Sequence, residues 1–192
     1  MTTTASKLRQ GNRLWLALAS VITANVLLVL SAKIQVPFWP VPMTMQTLVV
    51  VALGLGLGLR LGTAALVLYL FEGAIGLPVF AGTPERGIGL VYMAGPTGGY
   101  LAGFVACTIV IGWLAERGVL RNWPALVAAV LGGHALILAC GALWLGTVAG
   151  WQVAWTAGTV PFLFGTLIKS ALGVLAGEPL AQLRGKLAGP LA

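Results

Sequence analysis

Leu14-Trp-Leu-Ala-Leu-Ala-Ser-Val-Ile-Thr-Ala-Asn-Val-Leu-Leu-Val-Leu-Ser-Ala32 is nineteen residues long and carries no charge. At about 1.5 Å rise per residue such a run forms a helix of roughly 28 Å, close to the ~30 Å thickness of a bilayer's hydrocarbon core. Lys7, Arg9 and Arg13 precede it and Lys33 follows it, so groups that belong in water bound it on both sides. A charged start before an apolar run is also the general form of a cleaved leader. This run is long enough to span, and it reads as a retained first helix.

The rest of the chain has the same character. Of its 192 residues 59% are hydrophobic and 8% charged, against roughly 45–50% and about 25% for a soluble domain. The acidic residues are Glu72, Glu85, Glu116 and Glu178, with no aspartate, and the one histidine is His134. An enzyme needs a nucleophile and base or a metal cluster, and these residues supply neither, so no catalysis and no bound cofactor or metal are expected. The net charge of +7 in so apolar a chain points to basic loops beside a membrane rather than to nucleic acid. Cys107 and Cys140 sit in apolar runs without metal-ligand spacing and read as small apolar residues.

Further runs follow at about 47–59, 61–77, 97–115, 125–149 and 161–178, with a tight turn at Arg60, a stop at Pro78 and a proline in the first turn of the last run at Pro161. Together with 14–32 they predict an all-α membrane protein of six transmembrane helices forming one domain over 1–192. Two connections are elaborate. Residues 33–46 contain Pro37, Pro40 and Pro42, which deny a helix its donors; non-helical backbone at membrane depth needs protein or a watery cavity beside it. Residues 79–96 are rich in turn formers yet keep Phe80, Tyr92 and Met93, as a loop does when it packs over something.

Lys7, Arg9, Arg13, Arg60, Arg117, Arg121, Arg184 and Lys186 fall on one side of these spans, and Lys33 and Arg86 on the other. The positive-inside rule then places both termini in the cytoplasm and the two elaborate loops outside. Glycines four apart, at Gly58 and Gly62, at Gly95, Gly99 and Gly103, and at Gly173 and Gly177, predict close helix packing.

Two ionisable residues remain inside spans. Lys169 lies eight residues past Pro161, some ~12 Å along its helix, where a charged lysine costs roughly 2.5–3.5 kcal/mol and is a functional candidate by default. Thr166, Ser170 and Gly173 share its face. Glu72 sits six residues before Pro78, at comparable depth, and is open to two readings: an ion pair with Lys169 or a ligand contact. Thr44 and Gln46 put polar side chains in an apolar mouth, and Gly95-Pro-Thr97-Gly-Gly-Tyr100 opens the fourth span with backbone donors suited to an anionic group. His134 is expected to satisfy a local backbone carbonyl.

Four stretches in this order, Pro37-Phe-Trp-Pro-Val-Pro-Met-Thr-Met-Gln-Thr-Leu48, Gly73-Ala-Ile-Gly-Leu-Pro-Val-Phe-Ala81, Gly95-Pro-Thr-Gly-Gly-Tyr-Leu101 and Pro161-Phe-Leu-Phe-Gly-Thr-Leu-Ile-Lys169, closely resemble the BioY family, the biotin-binding S components of energy-coupling factor (ECF) transporters. The resemblance implies six helices, an outward-opening biotin site, and a prokaryotic cytoplasmic membrane shared with a transmembrane coupling protein and two ATPases, which use ATP in this chain's stead. It implies that Lys169 and the residue at position 166, here Thr166, engage biotin; the polar, aromatic and backbone-donor character of Gln46, Glu72, Tyr92, Gly95, Thr97 and Tyr100, with Phe80 nearby, makes these the further candidate substrate contacts. The resemblance also implies contact with the coupling protein through small residues of the first helix, nearest matched by Ala17, Ser20 and Ala24. The family's last motif usually reads Pro-Phe-x-Pro-Gly-Asp-x-x-Lys; this chain has Phe164 for the second proline and Thr166 for the acid. That departure keeps a second expectation open, the same fold serving another small vitamin or precursor.

Overall fold

A computed structural model describes residues 2–37, 43–81 and 88–191. Pro40 and Pro42 of the proline loop, and Glu85 and Arg86 of the second loop, lie outside the described residues. The chain is mostly helical: α1 (Thr2–Lys33), β1 (Gln35–Val36), β2 (Met43–Thr44), α2 (Gln46–Ala74), α3 (Leu90–Ala94), α4 (Gly98–Glu116), a 3-10 turn (Val119–Arg121), α5 (Trp123–Ala149), α6 (Trp151–Thr156), α7 (Val160–Leu175) and α8 (Gly177–Leu191). Among the described residues five helical stretches are long and apolar enough to cross a membrane: Arg13–Lys33, Gln46–Ala74, Gly98–Glu116, Trp123–Ala149 and Trp151–Leu175.

The first of these shows the packing logic. Ala24, Leu28 and Ala32 recur every four residues and are buried, while Leu14, Trp15, Ile22 and Leu30 on the other faces are exposed. A helix apolar on all sides yet buried on one is stable where lipid covers the rest.

The stretch Gln46–Ala74 is not straight. Gly58 has φ 74° and ψ −168°, a combination essentially restricted to glycine. In a straight helix residues 53 and 62 would stand ~13.5 Å apart along the axis. Here a Cβ on Gly62 would lie 2.9 Å from the Leu53 carbonyl oxygen, so the chain doubles back into two halves, 46–57 and 59–74. The reversal is therefore at Gly58, two residues before the expected turn at Arg60. Its new helix start leaves the Leu59 N–H without an intrahelical acceptor, and Glu116 Oε1 at the end of α4 accepts that proton at 2.8 Å. On the other side of the break, Arg184 of α8 donates to the Leu55 carbonyl at 2.6 Å.

Glycines bring the neighbouring helices close, as their spacing predicted. A Cβ on Gly103 of α4 would stand 2.9 Å from Ile137 Cα of α5, and one on Gly112 would stand 2.6 Å from the Leu59 nitrogen. The helix expected at 61–77 ends at Ala74, and the one expected at 161–178 ends at Leu175. The chain then continues directly into α8, an element not anticipated although Glu178 and Pro179 stand in its first turn, both favourable there.

Candidate functional site

The ends of the proline loop meet as a two-residue antiparallel ladder, Gln35 opposite Thr44 and Val36 opposite Met43. Met43 is buried and seats its thioether against Gly165 of α7, so the loop docks on the helix that carries Lys169. A cavity of about 420 Å³ opens beside this junction, within the ~300–1,000 Å³ of small-molecule sites. Its walls come from the loop and the start of α2 (Gln35, Thr44, Gln46, Thr47), α3 (Tyr92), the start of α4 (Pro96, Thr97, Tyr100, Leu101, Phe104), α5 (His134, Ile137, Leu138, Leu145) and α7 (Phe162, Thr166, Lys169).

Lys169 is 7% exposed. Its ammonium donates to the Thr44 carbonyl at 2.9 Å and to Thr47 Oγ1 at 3.2 Å. An ammonium has three donors, so these two contacts leave one for the cavity. This corrects the pairing considered for Glu72: no ion pair joins it to Lys169, and Glu72 is half-buried on α2 and absent from the cavity wall. The polar groups of the loop end answer the lysine instead of a carboxylate.

Six of the eight expected ligand contacts, Lys169, Thr166, Gln46, Tyr92, Thr97 and Tyr100, line this one cavity. Gly95 does not; its carbonyl accepts the Trp144 indole N–H at 2.9 Å and ties the start of α4 to α5. Phe80 stands behind the wall, stacked on Tyr92 with ring centroids 4.7 Å apart and edge-on to Tyr69 at 5.4 Å. Lys33 Nζ donates to the Phe80 carbonyl at 2.6 Å, which links the two elaborate connections. The Tyr100 hydroxyl donates to the Gly158 carbonyl at 2.6 Å, so its ring rather than its hydroxyl serves the cavity.

His134 meets the expectation of a backbone partner, since Nδ1 lies 3.0 Å from the Val130 carbonyl. It also lines the cavity, which its position in an apolar span gave no means of reading. Thr47 and the apolar wall of α5 were missed for the same reason: nothing in an apolar run distinguishes a cavity face from a lipid face. Of the residues matched to a partner contact, Ala24 is turned into the bundle at 3% exposure, whereas Ala17 and Ser20 remain half-buried.

A mostly apolar chamber with a few placed donors suits a small ligand that has an apolar body and polar ends. The comparisons with known proteins agree with this class of site. The biotin transporter BioY2 of Lactococcus lactis subsp. cremoris is 34% identical over 175 residues, covering 90% of this chain and 93% of that protein. The biotin transporter BioY of Thermotoga maritima is 38% identical over 166 residues, covering 86% and 94%. A crystal structure of the S-component for biotin from an ECF-type ABC transporter superimposes with a TM-score of 0.74 at 25% identity, over 91% of this chain and 93% of that one. The sequence profile of the BioY family matches residues 2–186, and the chain belongs to that family.

Proposed function

We propose that this chain captures biotin outside a prokaryotic cytoplasmic membrane and delivers it inward as the S component of an ECF-type ABC transporter. The observation that carries the reading is the shared cavity, which gathers Lys169, Thr166, Gln46, Tyr92, Thr97 and Tyr100 from four parts of the chain, in a protein similar over nearly its whole length to biotin transporters. In this reading the two halves of α2 cross separately, making six crossings, with both termini cytoplasmic and the cavity opening outward. Eight of the eleven cations then face the cytoplasm, in keeping with the positive-inside rule. In the same reading the chain is not an enzyme and holds no cofactor; a coupling protein, contacted through Ala17 and Ser20 of α1, and two ATPases supply the energy.

Biotin matches the cavity in kind. Its fused rings and aliphatic tail suit the aromatic and aliphatic walls, and its carboxylate and ureido carbonyl suit Lys169 and the Gln46 amide. Binding of tritiated biotin to the purified protein at micromolar concentration, followed by uptake in cells that also carry a coupling module, tests the proposal. No binding at that concentration overturns it. Thr166 favours a second reading, a related vitamin or precursor, because a threonine hydroxyl is a weaker acceptor than a carboxylate. Native mass spectrometry of the protein drawn from cells identifies the occupant and separates the two.

A further inference from the structure

The cavity's polar groups are unequal in kind. Lys169 only donates, and the Thr44 carbonyl and Thr47 hydroxyl already accept from it. Four buried side-chain atoms of the described residues have no hydrogen-bond partner: Asn25 Nδ2, Gln46 Nε2, Thr63 Oγ1 and His134 Nε2. Only two of these belong to residues of the cavity wall, Gln46 and His134. The Gln46 atom is a donor. What the His134 atom is depends on its tautomer, and the neighbours decide that.

The Val130 carbonyl, 3.0 Å from His134 Nδ1, can only accept, so Nδ1 carries the proton. Ser170 Oγ, 3.1 Å from the same nitrogen, shares that proton and holds the ring from a second helix. In the neutral imidazole Nε2 is then an acceptor, on a side chain 1% exposed. An orphan acceptor so deeply buried is costly unless a ligand satisfies it. Ser170 is one helical turn from Thr166 and adjacent to Lys169 in α7, so its contact with His134 sets the imidazole beside the cavity's other polar groups.

We propose that His134 is a ligand-contacting and specificity-determining residue whose Nε2 accepts a hydrogen bond from an N–H of the bound molecule. Resting on the biotin reading, the donor is a ureido N–H of biotin. Lys169 and Gln46, which donate, then address the ligand's acceptors, while His134 addresses its donor. Molecules of similar shape that lack an N–H at this point, such as a cyclic carbonate in place of the ureido group, leave Nε2 unsatisfied and are rejected.

The chain's single histidine makes a direct test available. Wild-type protein without a polyhistidine tag, labelled with nitrogen-15 only at histidine, gives ring resonances that belong to His134 alone. Before ligand is added, Nδ1 is expected in the protonated range and Nε2 in the unprotonated range. Saturating biotin should move the Nε2 resonance upfield and leave Nδ1 nearly in place. Calorimetry on the same sample reports whether biotin binds. Biotin that binds without moving Nε2, or a proton found on Nε2 in the free protein, overturns the role of His134 and leaves the biotin reading standing; no binding overturns both. As a second measurement, His134→Leu should weaken biotin binding about tenfold or more. His134→Gln, which keeps an acceptor, should lose less. Equal losses in the two variants would mean that the ring serves only packing and would also overturn the proposal.

Discussion

Lys169 Nζ donates to the Thr44 carbonyl at 2.9 Å, across 125 residues of chain. The bond joins α7 to the last residue of the small hairpin that closes the proline loop, so one ammonium both faces the cavity and holds its rim. Replacing Lys169 by Met, which has similar length and no charge, should lower biotin affinity by about 10- to 100-fold, the range for losing a charged hydrogen-bond donor. The melting temperature in detergent should hold or rise, because the cost of burying an ammonium disappears. Calorimetry and a thermal melt on the same preparation read both, and a fall in melting temperature with unchanged affinity would assign the lysine to structure alone.

Glu72 stands outside the cavity wall. Glu72→Gln is therefore expected to leave biotin affinity within about twofold of the wild type, as substitutions away from a site do. A loss approaching that of Lys169→Met in the same titration would restore Glu72 to the site.

Thr166 shares the cavity with Lys169, three residues away on the same helix face. Thr166→Asp supplies a charged acceptor, and charged hydrogen bonds are roughly twice as strong as neutral ones; biotin affinity should rise about three- to tenfold. Tritiated-biotin titration checks this. Weaker binding would show that the site is adapted to the threonine.

The bond between Glu116 and the Leu59 N–H, 2.8 Å long, predicts a stability difference between two similar variants. Glu116→Ala leaves the N–H at the start of a helix without its acceptor and should cost about 1–2 kcal/mol. Glu116→Gln retains an acceptor oxygen and should cost less. Chemical or thermal unfolding in detergent ranks them, with Gly58→Ala below both: it forces an alanine into backbone that costs of order 1–3 kcal/mol and sets its Cβ 2.7 Å from the Glu116 carboxylate.

Gly103 faces backbone rather than the tip of a side chain, with Ile137 Cα 2.9 Å from where its Cβ would be. Gly103→Leu should separate α4 from α5 and destabilise by about 3 kcal/mol or more, the upper range for overpacking. Size-exclusion chromatography of the solubilised protein should show loss of the monodisperse species, whereas Gly132→Ala, which has open space around its Cβ, should elute as the wild type does.

The apolar runs, the helix break after Lys33 and the buried position of Lys169 were legible because each is a local pattern. Length and hydropathy mark a span, proline marks a break, and a lysine among leucines marks itself. What escaped depends on distant partners. Gly58 rather than Arg60 makes the reversal because Glu116, 57 residues past Leu59, is there to accept the exposed Leu59 amide, and a sequence window does not contain that partner. Glu72 and Lys169 were placed at similar depth by counting residues, but depth along two helices says nothing about which faces meet. His134 illustrates the same limit, since its neighbours Val130 and Ser170 come one from its own helix and one from α7. The helix α8 was different: Leu180, Leu183 and Leu187 follow helical spacing after a first-turn proline, a readable signal obscured by its low hydrophobicity.

Four ions of this bundle share a habit. Lys33 ends on the Phe80 carbonyl, Arg184 on the Leu55 carbonyl, Lys169 on the Thr44 carbonyl with the Thr47 hydroxyl beside it, and Glu116 on the Leu59 amide; each is answered by main chain and, among the described residues, none by an ion pair. Charge-swap genetics, in which reversing two residues together restores what either reversal destroys, has no purchase on such contacts, because a peptide group cannot be mutated to the opposite sign. Suppressors of a lost charge should instead arise among residues that reshape the local backbone, near the hairpin or the Gly58 reversal. In this chain, electrostatic repair is a matter of geometry.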